Sequence, residues 1–283
     1  MKQSATRRSL DVLELLVKYP SGLGLTEICD KLTVPKSAAH RLLQLLSERG
    51  FVRQDPDSAR YGLTLKLTLL GSRFLVETGL SDVSQPILER LAAETGELAR
   101  LAVVEGEGMV WVAKAQGARY GLRLDPDTGM HVVLHATATG KAWLATLPED
   151  EALRIVSATG FETPAHFGPN VIRNLERFRE ELRKTRGRNF GLAMEEGEPG
   201  TAAVAVAVHA SADIDAAAVA TLSVAGPVIR FTSERRQQFV RHLSTAAAEL
   251  SALWPLRAPW RTHYRIDGPD REGKAAGVVA HAN

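Results

Sequence analysis

The segment from Gly24 to Leu65 constrains the fold most strongly. Within it, the stretch PKSAAHRLLQLLSERG separates into two faces when each residue is rotated by about 100° from the last, as in an α-helix. One face carries the apolar side chains of Ala38, Ala39, Leu42, Leu43, Leu45 and Leu46. The opposite face carries Lys36, Ser37, His40, Arg41 and Gln44. We expect the first face to be buried and the second to be free for a partner.

The ends of this helix and of the shorter helix before it carry start and stop signals. Pro35 fits a first helical turn, where no amide hydrogen is required, and Gly50 supplies the left-handed residue that ends a helix. Thr26 is predicted to cap the shorter helix, LTEICDKL, by accepting a hydrogen bond from a first-turn amide. Two helices separated by a tight break form a helix-turn-helix, whose second helix can enter the DNA major groove.

A short hairpin follows the helix-turn-helix. Residues 51–54 and 61–63 have the composition of two short strands, and Asp-Pro-Asp-Ser at 55–58 forms the turn between them. Such a hairpin behind a helix-turn-helix is the wing of a winged-helix domain.

The polar helix face has the chemistry of a DNA reader rather than that of a merely solvated surface. Arginine and lysine donate to guanine or phosphate, glutamine can read adenine, and serine and histidine reach phosphates or base edges. The face carries no acidic residue before Glu48, so nothing on its first three turns repels phosphate. Residues 1–60 hold ten Lys or Arg against seven Asp or Glu, although the whole chain has a net charge of only +2. The positive excess therefore lies beside the predicted interface.

Composition is consistent with a two-domain cytoplasmic protein. The chain has 283 residues, of which 45% are hydrophobic and 24% charged. The first residues lack the apolar run of a signal peptide, and the longest apolar run, 202–208, is far shorter than the roughly 20 residues of a membrane helix. The single cysteine, Cys29, is predicted to be a buried structural thiol.

The rest of the chain predicts an α+β organisation. A first helix at about 4–18 precedes the helix-turn-helix, and two helices at 66–95 form a helical linker. Strands at LARLAVV, MVWVAKA, YGLRLD, NFGLAM, TAAVAVAVHA and AAVATLSVAG alternate with helices up to a final helix at about 233–253. We therefore predict a DNA-binding domain at 1–65, the linker at 66–95, an antiparallel-sheet effector and oligomerisation domain at 96–254, and a partly mobile tail at 255–283, in which Trp260 and Tyr264 could dock onto the body.

Four motifs in order resemble the IclR-type bacterial transcriptional regulators. They are PKSAAHRLLQLLSERGFV with the wing ending RYGL, then LHATATGKAWLA, then the acidic turn EEGEPG before an apolar strand, and finally LSVAGPVIRFTSER. The resemblance spans residues 5 to about 254. It implies a winged helix-turn-helix, a GAF-like or PAS-like effector domain, and dimers or dimers of dimers on palindromic operators. It also implies control of catabolic genes, by repression more often than activation, in response to a small organic molecule.

The resemblance also implies functional positions. The family's DNA-contacting positions fall on Lys36, Ser37, His40 and Arg41, with Arg60 as the contact from the wing; Gln44 joins them from the same helix face. The pocket positions fall on Ala138, Thr139, Gly140, Ala193, Met194, Glu195, Ala203, Ser223 and Ala225. Trp111 and Leu122 could also line the pocket.

This chain departs from the family pattern in the pocket. Ala193, Ala203 and Ala225 stand where the family often has Asp, Cys and Ser. Fewer polar side chains predict a roomier, more apolar cavity, which suits a larger ligand such as an aromatic acid better than a small oxoacid. The turn into a helix at 139–141 is expected to present backbone amides to an anionic group.

Other chemistry is less well supported by the sequence. His131, His135 and His166 could suggest a metal-sensing repressor, but no cysteine or paired carboxylate completes a ligand set, and His135 is expected to be a packed residue whose nitrogens bond nearby backbone. Ser223, His209 and Asp213 or Asp215 supply the residue types of a catalytic triad, but no Gly-x-Ser-x-Gly motif surrounds any serine.

We expect no cofactor and no enzyme activity. The alternative is an enzyme or ligand carrier built on the sensor domain, with the winged helix used for protein contacts.

Overall fold

The computed structural model describes residues 5–77, 79–124, 128–162, 167–210 and 218–254. The predicted tail with Trp260 and Tyr264, together with His166, Asp213 and Asp215, lies outside these ranges. Internal contacts divide the chain into two compact units, Met1–Glu77 and Thr78–Asn283. The domain boundaries at 65 and 95 stay predictions.

The first unit is a winged helix-turn-helix, as predicted. Its elements are α1 (Ala5–Val17), α2 (Leu25–Leu32), α3 (Lys36–Glu48), β1 (Val52–Gln54), β2 (Tyr61–Leu63) and α4 (Lys66–Glu77). The strands pair antiparallel, with Arg53 opposite Gly62. Buried side chains from α1, α2, α3 and the wing form one core, consisting of Val12, Leu16, Leu23, Ile28, Leu43, Leu46, Val52 and Tyr61. Because the apolar side of α3 packs into this core, the polar side of the helix faces solvent.

The helix ends agree with the sequence signals except at Thr26. Pro35 has extended backbone just before α3, and Gly50, with φ of 72°, follows that helix. The residue preceding α2 is Gly24, whose amide donates to the Glu27 carboxylate at 2.7 Å. Because α2 begins at Leu25, Thr26 already lies inside the helix, and the predicted threonine cap is wrong.

The buried stripes of α1 and α3 are narrower than the apolar patterns predicted. Leu45, which was assigned to the buried face of α3, is 48% exposed, and Leu10 on α1 is 55% exposed. The buried residues of α1 are Val12 and Leu16, and the buried leucines of α3 are Leu42, Leu43 and Leu46. In so small a core a helix contacts its neighbours along a single line, so apolar residues at the flanks stay in solvent.

The second unit has helices on both faces of an antiparallel sheet. Its elements are α5 (Leu80–Thr95), β3 (Leu98–Glu105), β4 (Gly108–Gln116), α6 (Ala138–Leu144), α7 (Glu149–Thr159), α8 (Leu175–Arg188), β5 (Gly191–Met194), β6 (Thr201–Val208), β7 (Ala220–Pro227) and α9 (Ser233–Leu253). Residues 120–124, predicted to be a strand, contain none. An isolated bridge joins His131 to Val110.

The sheet order β4-β3-β7-β6-β5 gives this unit two distinct sheet faces. Helices α5 and α9 pack on each other and together against β3, β4, β6 and β7, whereas α6 packs against β5, β6 and β7. Strand alternation assigns Leu222, Val224, Val204 and Val206 to the face toward α9. It assigns Arg100, Ala102, Thr221, Ser223, Ala203 and Ala205 to the face toward α6. The predicted α+β class is confirmed.

Candidate DNA interface and effector site

The face of α3 predicted to meet DNA is exposed. Lys36, Ser37, His40, Arg41 and Gln44 all lie in solvent. The buried side of the same helix is formed by Ala39, Leu42, Leu43 and Leu46. The Gln44 amide nitrogen donates to the Glu48 carboxylate at 3.0 Å, one turn further along. The structure therefore brings five predicted contact residues together on one surface and leaves the role of each to be tested.

The wing arginine, Arg60, has partners inside its own unit. Its Nε donates to the Gly22 carbonyl oxygen at 3.1 Å, and its guanidinium lies 3.1 Å from the Glu27 carboxylate. These bonds tie the wing to the start of α2, so the DNA contact predicted for Arg60 stays a prediction. Arg53, exposed on β1, is a wing cation that the sequence analysis did not select. The alternation of strand side chains could have identified it.

The Gly-Lys-Ala motif places α6 very close to neighbouring backbone. A Cβ on Gly140 would lie 2.3 Å from the Leu134 carbonyl oxygen, so only glycine fits. The Gly140 amide donates to the Thr137 hydroxyl at 3.1 Å, which caps the helix. The Lys141 amide donates to the Thr137 carbonyl oxygen at 3.1 Å. These two amides already have acceptors, so the structure does not support the prediction that they bind an anionic effector.

Lys141 forms a buried ion pair that the sequence analysis missed. Its side chain is 1% exposed, and Nζ donates to both carboxylate oxygens of Glu196 at 2.6 Å and to the Leu192 carbonyl oxygen at 3.0 Å. The Glu181 carboxylate lies 3.7 Å from the same nitrogen. Burial raises the pKa of Glu196, and the positive charge of Lys141 opposes that effect. The lysine of the LHATATGKAWLA motif and a glutamate of the EEGEPG turn are thus paired in the core.

The predicted pocket alanines meet in one cluster. Ala138 and Ala142 on α6 pack against Ala193 on β5 and against Ala203 and Ala205 on β6. Ser223 is directly opposite Ala205, and Ala225 is opposite Ala203, on the neighbouring strand β7. These pocket positions therefore share the sheet face toward α6. Thr139 is buried in the same helix.

Other predicted pocket residues are directed elsewhere. Met194 follows Ala193 on β5, so strand alternation places the two side chains on opposite faces. Glu195 has φ of 52° and accepts the Gly200 amide at 3.0 Å, which orders the acidic turn. Leu122 is 69% exposed and belongs to neither the alanine cluster nor the core around Trp111. The structure does not bring these three together with the alanines.

Trp111 is buried, and its ring contacts an arginine that the sequence analysis did not select. The Arg100 guanidinium lies 3.7 Å from the centre of the Trp111 ring. Within the described residues, its Nε is buried without a hydrogen-bond acceptor, as are the hydroxyls of Thr221 and Ser223. Burial lowers the pKa of Arg100 to about 10, with the charge of Glu198 opposing that shift. Arg100 therefore keeps its positive charge at neutral pH.

His135 is buried in the apolar core, but not with every nitrogen satisfied. Its ring lies 5.0 Å from that of Phe161, and its Nε2 has no partner among the described residues, contrary to expectation. Burial lowers the pKa of His135 to about 4, and the charges of Lys141 and Arg173 add to this effect. In the part of the chain that the structure describes, no three His, Cys, Asp or Glu side chains form a group that could hold a metal.

Two surface cavities of the second unit have none of the predicted effector residues in their linings. One, of about 290 Å³, is lined by α5 and α9 and includes Arg90, Glu94, Arg241 and His242. The other, of about 360 Å³, includes Glu97, Arg119, Tyr120 and Arg230. None of the described helices combines the length and apolar character needed to span a bilayer.

A winged helix-turn-helix with an exposed cationic face, followed by an α+β unit, defines a class of DNA-binding regulators with an appended sensor. Residues 5–56 match the IclR helix-turn-helix domain, and residues 72–252 match the bacterial transcriptional regulator IclR C-terminal domain. The chain belongs to the IclR family of bacterial transcriptional regulators. It is a DNA-binding transcriptional regulator.

Named relatives agree with this assignment. The HTH-type transcriptional regulator KdgR of Escherichia coli K12 is 32% identical over 233 residues, covering 81% of this chain and 85% of that protein. The transcriptional repressor IclR of the same organism is 28% identical over 253 residues, covering 89% and 90%. The crystal structure of an IclR homologue complexed with 4-hydroxybenzoate, from Microbacterium hydrocarbonoxydans, has a TM-score of 0.71 at 20% identity, covering 88% of this chain and 98% of that one. That likeness shows a shared fold.

Proposed function

We propose that this regulator acts in the cytoplasm as a homodimer, or a dimer of dimers, that represses catabolic genes from palindromic operators until a small organic acid binds its second unit. The observation that carries the DNA-binding part is the exposed face of α3. Five polar or cationic side chains lie there, and the face has no acidic residue before Glu48. An enzyme or carrier that used the winged helix for protein contacts would not need a face free of acids.

The roles of the α3 residues follow from their chemistry. Lys36 and Ser37, at the start of the helix, are assigned to phosphates, because residues near a recognition-helix N-terminus meet the DNA backbone and groove edge. Arg41 is assigned to a guanine, and His40 and Gln44 to base edges nearby. In a dimer the two helices enter successive major grooves about 34 Å apart, which sets the spacing of the half-sites.

An electrophoretic mobility shift with the DNA upstream of the protein's own gene tests this assignment. Replacing His40 and Arg41 by Ala should weaken operator binding by roughly 1–3 kcal/mol per base contact and reduce discrimination against unrelated DNA. Lys36→Ala should weaken both DNAs alike and lower the salt dependence by about one phosphate contact. Arg154→Ala, which removes an exposed arginine from the second unit, is the control. Unchanged binding by the double variant would refute the interface.

The dimer proposal is supported by the exposed apolar side of α4. Leu67, Leu70 and Phe74 recur at spacings of three and four, which places them along one side of the helix. All three are exposed, and Phe74 is 64% exposed. None of the side chains described on this helix is buried. Because apolar stripes of this kind are normally covered, and a palindromic site requires two copies, we assign the stripe to a second copy of the chain.

Sedimentation of stripe variants tests the dimer. Leu70→Glu combined with Phe74→Glu should convert the protein to a monomer at concentrations where the wild type is a dimer. Ser72→Glu is the matched control, because Ser72 is exposed on roughly the opposite side of the same helix. If the stripe variant stays dimeric, the second copy docks elsewhere.

The effector proposal rests on the small side chains that line the sheet face toward α6. Ala193, Ala203 and Ala225 stand where the family often has Asp, Cys and Ser, which favours a ligand with an apolar body over a compact oxoacid. We therefore expect benzoate or 4-hydroxybenzoate to raise the melting temperature more than glyoxylate or pyruvate. The opposite ranking would refute this choice of ligand class. For the acid to release the protein from its operator, it need only bind the DNA-free conformation of the protein more tightly than the DNA-bound conformation.

A further inference from the structure

Three polar groups on one sheet face of the second unit lack partners. They are the Arg100 guanidinium Nε, the Thr221 hydroxyl and the Ser223 hydroxyl, each buried without a hydrogen bond in the part of the chain that the structure describes. Buried polar atoms are almost always paired, since an unpaired one loses its water without compensation. One such atom is unremarkable, but three on the same surface indicate a missing occupant.

Strand register brings these groups together. Arg100 on β3 is directly opposite Ser223 on β7, and Thr221 is the residue two positions before Ser223 on that strand. Directly opposed side chains have Cβ atoms about 5 Å apart, and diagonal neighbours are about 7–8 Å apart, within reach of a long side chain. All three side chains are on the face toward α6, beside Ala102 and Ala205. Their neighbours on β3 and β6 are therefore short, whereas on β4 Lys114 is directly opposite Arg100 and the Trp111 ring lies beside it.

The guanidinium is held in a geometry that leaves its donors available. Its central carbon lies 3.7 Å from the centre of the Trp111 ring, a cation–π contact that holds the side chain against the ring. A stacked guanidinium keeps its N–H groups along its edge, where they can pair with two oxygens of one carboxylate. No carboxylate of the described residues forms an ion pair with Arg100, and the Glu198 that attracts it is exposed on the acidic turn.

We propose that Arg100 is the anchor for the carboxylate of the effector, with Ser223 and Thr221 donating hydrogen bonds to the same group. This inference rests on the proposed function and gives it a specific ligand chemistry: a monocarboxylate whose body extends over the alanine cluster. The cationic anchor lies on β3, instead of the turn into α6 that the sequence suggested. A neutral amide of the same shape cannot form the charge-assisted pair, so the site should discriminate acids from their amides.

Matched probes test the anchor on the full-length protein. Benzoate, 4-hydroxybenzoate, pyruvate and acetate are the acids, and benzamide is the neutral counterpart of benzoate. At least one acid should raise the wild-type melting temperature, and benzamide should not. Arg100→Met should weaken binding of that acid by roughly 30-fold or more, because a buried charge loses its partner. Ser223→Ala should weaken it by roughly 5- to 15-fold. The control is Arg154→Ala, which should bind like the wild type.

A second readout does not depend on the choice of probe. Without ligand, Arg100→Met should melt at a higher temperature than the wild type, because it removes an unpaired buried cation and keeps the contact with Trp111. Operator binding without ligand by the wild type and by the Arg154→Ala control is measured in parallel, which separates failure of the anchor from failure of DNA binding. A lower melting temperature without ligand, retained acid binding, or stabilisation of the wild type by none of the four acids would overturn the proposal.

Discussion

Replacing Lys141 by Met is the most demanding test of how the second unit is held together. Methionine keeps the length and apolar stem of the lysine but removes the charge that faces both oxygens of Glu196. Glu181 keeps a second partner, because Arg188 lies 2.7 Å from it. The substitution therefore leaves one carboxylate, that of Glu196, without its counter-ion in a site that is almost closed to water.

The expected loss of stability follows from this burial. Removing one member of a buried ion pair costs about 3–5 kcal/mol, because the remaining charge stays desolvated. In a unit of this size that corresponds to a drop of roughly 10 °C in melting temperature. The surface pair of Arg154 with Glu107, at 2.9 Å, is the comparison, and Arg154→Ala should cost less than about 1 kcal/mol.

The pH dependence of the Lys141→Met variant distinguishes a lost charge from a simple packing defect. Burial already raises the pKa of Glu196, and removing Lys141 takes away the charge that opposes this shift. A carboxyl group with a raised folded-state pKa stabilises the fold at low pH and loses that contribution as pH rises through the folded pKa. The variant should therefore recover part of its stability between pH 7.5 and 5.5. Glu196→Gln added to Lys141→Met should recover roughly 2 kcal/mol at pH 7.5.

Tryptophan fluorescence during urea unfolding measures these changes, since all four tryptophans of the chain lie in the second unit. If Lys141→Met is as stable as Arg154→Ala, the buried pair contributes little. If its instability is the same at pH 5.5 and 7.5, the loss is one of packing and the electrostatic account is wrong.

Two further predictions concern the core around α6. Gly140→Ala should cost about 3 kcal/mol or more, since its Cβ would meet the Leu134 carbonyl oxygen at 2.3 Å. Gly187→Ala, with open space in α8, should instead add about 0.5–1 kcal/mol in the same urea titration. His135 has a folded-state pKa of about 4, below its unfolded value, so stability should fall by about 1 kcal/mol per pH unit between pH 6 and 5. His135→Leu should show a smaller slope, and an unchanged slope would contradict the burial of a neutral imidazole.

The sequence predicted the elements whose pattern is both long and local. The 3.6-residue period of α3, its Pro35 and Gly50 boundaries, and the alternating strands at Leu98–Glu105 and Gly108–Gln116 all appear in the structure. Failures occurred where a local pattern competes with tertiary contacts. Residues 120–124 have strand composition but no neighbouring strand to pair with, and Leu45 has helical spacing but lies at the flank of the core.

The candidate effector site was less predictable, because its geometry depends on register between distant strands. The resemblance identified Ser223 and the alanines, and the structure brings them to one sheet face. It also predicted amide donors at 139–141, where the structure shows that Thr137 occupies the amides of Gly140 and Lys141. No property of the local sequence indicates that Lys141 pairs with Glu196, which is 55 positions further along the chain.

Arg100 shows why such a residue is missed from sequence alone. In the stretch LARLAVV, the alternation of strand side chains places Arg100 on one face of the strand. A single arginine in such a strand is ordinarily interpreted as a residue that faces solvent. That interpretation fails because β3 is flanked by β4 on one side and β7 on the other, with Ser223 directly opposite Arg100 and the Trp111 ring against its guanidinium. A charge that is unfavourable to bury persists only if something compensates it. Since no described carboxylate pairs with it, the proposed effector carboxylate is the compensation that Arg100→Met tests.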